Sequence, residues 1–181
     1  MPLMKLISLY LFSLFFVLTP SEDEVKMTWD ENKKLTWADF QGEPKPGSGF
    51  VASTNSGISF SYSFKTLNGD VEYSFTVHSY FYPESSWYLR SQVNDHILAH
   101  EQTHFDITEL FARILRARIE ATPFSEKIKE EIEKIYRQTE TKRKEMQERF
   151  DRESNHSKNK SGEKVWEDFV AEKLEEYERW K

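Results

Sequence analysis

His100-Glu101-Gln102-Thr103-His104, inside the continuous stretch from Asn94 to Glu120, decides how this chain of 181 residues is read. The stretch predicts one long helix that ends before Pro123, because proline disfavours helix in the residue before it. At ~100° per residue, His100 and His104 fall one turn apart on one face, where both imidazoles reach one cation. Glu101 projects about a quarter-turn away, where it touches a metal-bound water without ligating the metal. Zinc lowers the pKa of such a water toward ~7, and a carboxylate takes its proton as it attacks a carbonyl. Read this way, the pattern belongs to a metal-dependent hydrolase, foremost a peptidase.

The same helix has a plainer reading. Val93, Ile97, His100, His104, Ile107, Phe111 and Ile114 share one stripe, so two histidines interrupt an otherwise apolar face. A lone histidine there is more often a satisfied core residue than a ligand. A pair one turn apart, with a glutamate between them, favours metal. Leu98, Phe105, Ala112 and Ile119 form a second apolar stripe, which buries the helix on two sides. Gln102, Asp106, Glu109, Arg113, Arg116 and Glu120 make the remaining face, expected as surface or as salt bridges between elements, with Glu109 and Arg113 at ion-pair spacing.

Upstream, Met1 to Lys5 is short and basic, and Leu6 to Leu18 is continuously apolar or small. Thirteen residues rise only ~20 Å as a helix, too short for a ~30 Å bilayer core and suited to a secretory signal over residues 1–20. No A-x-A pattern precedes Ser21, so an uncleaved tether is the alternative. The expected product is one secreted or periplasmic domain over 21–181, with no membrane contact after signal removal. Losing Lys5 with the signal takes the formal charge from −6 to −7. An acidic chain without a basic block is a poor nucleic-acid binder. Zero cysteines exclude disulfides and thiolate ligands, which leaves His, Asp, Glu and Tyr for the site.

Ile58 to Phe64 and Val71 to Tyr82 alternate with period two, and Asn68-Gly69 between them is a hairpin signal. Gly42 to Gly49 is a loop by composition. After the motif helix, Ser125 to about Arg149 predicts a charged helix with one apolar stripe, Asp151 to Lys164 a polar loop, and Val165 to Leu174 a last amphipathic helix. The fold class expected is α+β, a small N-terminal antiparallel sheet packed on the active-site helix and followed by two further helices.

A catalytic zinc takes three protein ligands plus water. His96 lies ~12 Å along the axis from His104, so one ion cannot bind His96, His100 and His104 together. Asp106 points some 200° from His104, and His78 sits on a strand beside the inward Val77. The segment Phe150 to Ser157 then offers His156 with two carboxylates, Asp151 and Glu153.

Trp37-Ala38-Asp39-Phe40-Gln41-Gly42, Ala52 to Ile58, His100 to Ile107 and Phe150 to His156 resemble, in order, one bacterial family: domain of unknown function 922, predicted secreted zinc-dependent proteases. The resemblance covers nearly all of residues 21–181. It implies a zincin-like fold, metal ligation by His100 and His104, and Glu101 as general base. Where that family reads Tyr-Asp-x-x-Thr-x-His-Gly, this chain reads Phe150-Asp151-Arg152-Glu153-Ser154-Asn155-His156-Ser157. The Asp and His persist, which carries the third metal position to His156, with Asp151 as its support or substitute. The expectation is a secreted zinc peptidase acting on a peptide or protein. The alternatives are a non-catalytic, zinc-stabilised module that binds peptide or glycan, and a scaffold whose charged Ser125–Arg149 arm meets a partner. The sequence leaves the oligomeric state open.

Overall fold

A computed structural model describes residues 25–67 and 70–181, which form a mixed α+β domain. The expected signal over residues 1–20 and the Asn68-Gly69 turn lie outside the described residues. Five strands, β1 (Met27–Thr28), β2 (Ala52–Ser53), β3 (Ser56–Leu67), β4 (Asp70–Phe81) and β5 (Trp87–Tyr88), precede three helices. These are α1 (Asp95–Glu120), α2 (Ile128–Ser154) and α3 (Lys160–Glu176). One antiparallel sheet has the order β1-β4-β3, and β2 pairs with β5 in a separate two-stranded ladder. No helix among the described residues is long and apolar enough to cross a membrane.

The period-two alternation in β3 and β4 decides their register. Phe60 lies opposite Val77, Tyr62 opposite Phe75 and Phe64 opposite Tyr73, so aromatic and β-branched side chains meet directly across the ladder. Inward-facing Ile58 and Val77 pack on α1 together with Ile132 of α2 and Trp166 and Val170 of α3. Along α1, Ile107, Leu115 and Ile119 are wholly buried. Each such side chain contributes roughly 1.5–3 kcal/mol relative to exposure, which makes α1 the axle of the domain. A smaller cluster of Leu35, Phe40, Phe81 and Phe105 seats the N-terminal segment against the other side of α1.

The α1 face expected as surface or as salt bridges between elements takes the second form around Arg113: Gln102, Glu109 and Arg113 are buried, while Glu120 is exposed. Gln102 accepts from Leu35 N at 2.7 Å, and Arg113 Nε donates to Glu109 at 3.0 Å while its Nη1 reaches Leu174 O and Glu178. One expectation is corrected: the polar loop is shorter than the Asp151 to Lys164 that composition suggests. α2 continues through Asp151 to Ser154, helped by the i,i+4 pair of Arg149 and Glu153 at 2.8 Å. Asn155 then ends it in the left-handed region (φ 49°), and Asn159 caps α3 by accepting from Gly162 N. Asp151 is therefore a helix residue, with a direction dictated by α2.

Candidate metal centre

Asn94 opens α1 by accepting a hydrogen bond from Ile97 N at 3.1 Å, and the helix then presents His100 and His104 on successive turns. α2 crosses this face and delivers Asp151 from its last turn. His100 Nε2 lies 3.2 Å from Asp151 Oδ1, His104 Nε2 lies 3.0 Å from the same oxygen, and the two Nε2 atoms are 3.3 Å apart. A tetrahedral ion bound at ~2.0–2.1 Å holds its ligands roughly 3.3 Å from one another. Two imidazoles and one carboxylate at these separations fit zinc in both size and donor chemistry.

The supporting contacts settle which nitrogen faces inward. His100 stacks on Phe150 with ring centroids 4.5 Å apart, and its Nδ1 lies 3.7 Å from a Glu163 carboxylate oxygen. Glu163 is wholly buried, and neither of its oxygens makes a hydrogen bond among the described residues. His104 Nδ1 contacts Gln147 Oε1, while Gln147 Nε2 donates to His104 O at 2.9 Å. Both rings thus turn Nε2 toward Asp151. This is how outer carboxylates and amides orient ligating histidines.

Burial acts most strongly on both titrating partners, pushing Asp151 up and His100 down. The hydrogen bonds and charges they exchange outweigh it. Asp151 is held well below the usual carboxylate range by His100 and His104. His100 is raised to about 9 by Asp151, Glu163 and Glu101. Without a metal the cluster holds a proton on His100 at neutral pH, and a cation has to displace it.

Glu101 lines the same cleft, of about 630 Å³. It is 4% exposed, and its Oε2 is buried with no hydrogen-bond partner among the described residues. His156 stands beside the donor triangle, outside the group of three that converge. Its Nδ1 is 3.5 Å from Asp151 Oδ1, and its half-exposed ring meets Phe50 edge-on at the cleft rim. Glu153 pairs with Arg149 and accepts from Trp166 Nε1, away from the donors. His96 reaches Ser157 O at 2.7 Å and Glu163 at 3.4 Å. His78 is exposed on β4.

Gln147 and Glu163 escaped the sequence reading. Gln147 had a signal: Thr139, Arg143, Gln147 and Asp151 recur every four residues, an unusual polar ridge on one helical face, and Thr139 and Arg143 are buried. Glu163 had none, being one acid in a polar segment.

Fold and site together define an α+β domain with a candidate His-His-Asp metal centre between its central helix and α2. Residues 38–157, well over half of the chain, match the family described as Bacterial protein of unknown function (DUF922), and the chain belongs to that family. No curated protein and no solved structure matches the chain.

Proposed function

We propose that the protein is a zinc-dependent peptidase of zincin-like design, exported by the apolar segment Leu6 to Leu18. The observation that carries this reading is the donor triangle of His100, His104 and Asp151, with edges of 3.0–3.3 Å, beside Glu101, whose buried Oε2 has no hydrogen-bond partner among the described residues. Asp151 takes the third ligand position, and His156 lies next to it at the rim. Zinc held by these three residues supplies Lewis acidity, which brings the pKa of water toward ~7 and polarises a carbonyl.

Glu101 accepts the proton of the attacking water at its carboxylate and returns it to the leaving amine. A buried carboxylate oxygen without a hydrogen-bond partner costs stability, and a purely structural metal site has no use for one there, so the enzyme reading is favoured over a binding module. The Glu163 carboxylate, 3.7 Å from His100 Nδ1, favours a proton on that nitrogen by its charge rather than by a hydrogen bond, which leaves Nε2 free to ligate. β2 lines the cleft, and β5 is its only strand partner among the described residues. An extended peptide can add to the open edge through main-chain hydrogen bonds.

The test is elemental analysis joined to a mixed-peptide digest. The purified protein should carry about one equivalent of zinc, and Asp151→Ala and His104→Ala should lose it. Glu101→Gln should keep the metal and fall by at least ~10²–10⁴-fold in rate, since an amide accepts no proton. Peptide cleavage that survives in Glu101→Gln is incompatible with the mechanism.

A further inference from the structure

The cleft is electrically lopsided. Its two acidic groups, Glu101 and Asp151, sit at the floor, and both are committed to the proposed chemistry. The wall from Gly49 to Thr54 carries no charge. The opposite wall, between α2 and α3, presents His156, Lys158 and Lys160 and no acid. In a chain with 31 acidic against 25 basic residues, that wall runs against the overall balance.

Neither lysine is occupied by a carboxylate among the described residues. Lys142, Lys164 and Lys173 on the neighbouring helices pair with carboxylates three or four residues on, whereas Lys158 and Lys160 have no ion pair among the described residues. Their backbone is held in place. Ser157 O is bound by His96, Asn159 N donates to Ser154 O at 2.8 Å, and Asn159 Nδ2 donates to Glu153 O at 2.9 Å. Asn155, His156 and Ser157 all have positive φ (49°, 49° and 65°). Non-glycine residues in that region carry strain that persists only where the surroundings over-determine it. Lys158 and Lys160 follow this strained turn and line the cleft as exposed residues.

We propose that this wall recognises a peptide carboxylate, so that the substrates are peptides carrying an acidic side chain or a free C-terminal carboxylate near the bond cleaved. The proposal rests on the peptidase reading for its substrate class and on the charge arrangement for its preference. Exposed lysines attract such a group by charge-assisted hydrogen bonds and by steering, both weakened by salt.

The experiment measures binding and cleavage separately. Zinc-supplemented Glu101→Gln protein is titrated with labelled octapeptides that carry either one Glu or one Gln, each with a free or an amidated C-terminus. The carboxylate-bearing peptides should bind about five- to tenfold tighter at low ionic strength. The amidated Glu series reports side-chain recognition, and the free-ended Gln series reports terminal recognition. In a K158E/K160E background the preference should vanish or reverse. Equal affinities for carboxylate and amide peptides, a preference that survives the double reversal, or no binding of any series overturns the proposal. If wild-type protein cleaves both series alike and binding shows no preference, carboxylate recognition fails and the peptidase stands. If lysine-dependent preference is present and wild type cleaves nothing, the peptidase reading fails and recognition stands.

Discussion

Glu163 and His100 illustrate how much a single buried charge does at this centre. Replacing Glu163 by Gln preserves its volume in a site with 0% exposure but removes the negative charge 3.7 Å from His100 Nδ1. Changes to such outer partners typically weaken metal binding about 10–100-fold, and that is the loss expected for Glu163→Gln in competition with a chromogenic chelator. The absorption spectrum of the cobalt-substituted protein should shift with it. An unaltered affinity would show that Glu163 merely fills space. The proton on His100 gives a second expectation. Its pKa is about 9 in the folded protein against an ordinary value of 6.5, so its stabilising contribution is complete below about pH 6.5 and is lost as pH rises through about 9. Asp151, lowered, contributes above its ordinary 3.8 and loses that contribution as pH falls into the acid range. Chelator-treated protein should therefore melt at lower temperature at pH 9 than at pH 6.5. Zinc-loaded protein should not, because the cation takes the place of the proton. Parallel melting curves across that range decide it.

Among the elements, α2 and α3 carry what the sequence concealed. The motif helix was legible because its apolar stripes and its two histidines repeat with one period, and β3 and β4 were legible because their alternation survives pairing. The end of α2 was not legible, since Asp151 to Ser154 has no apolar stripe and is kept helical by side-chain pairing and by contact with α1. Glu163 was invisible for a related reason. Only the tertiary seat of α3 buries it, and nothing local distinguishes it from its solvated neighbours. That seat depends on close approach. A Cβ built on Gly162 would stand 2.7 Å from Glu153 O at the end of α2, where the obstacle is backbone. Gly162→Ala should cost ~1–3 kcal/mol in denaturant unfolding, as overpacked substitutions do. It should also weaken metal binding by displacing the adjacent Glu163. A neutral result would mean that the first turn of α3 yields easily.

At the scale of the whole molecule, the C-terminal turn is fastened to α1 from inside. Arg113, 1% exposed, bridges Glu109, Leu174 O and Glu178, and Arg116 donates to Trp180 O and Val77 O. Arg113→Ala leaves Glu109 buried without its closest countercharge, for which the expected loss is ~3–5 kcal/mol. Thermal unfolding measures it, and Glu109→Gln in the same background should recover part of the loss. A shift within error would mean that the Arg116–Glu109 contact at 3.4 Å suffices. The placement of Glu163 bears on modularity. The segment matched to the family stops at residue 157, after the last proposed ligand and before the carboxylate that faces His100. A fragment cut there keeps every metal-binding side chain, yet it strips Trp166 and Val170 from the core and opens His100 to water. The smallest transplantable unit thus reaches past the family's boundary into α3, and grafting the shorter stretch onto another scaffold would carry the ligands without their alignment.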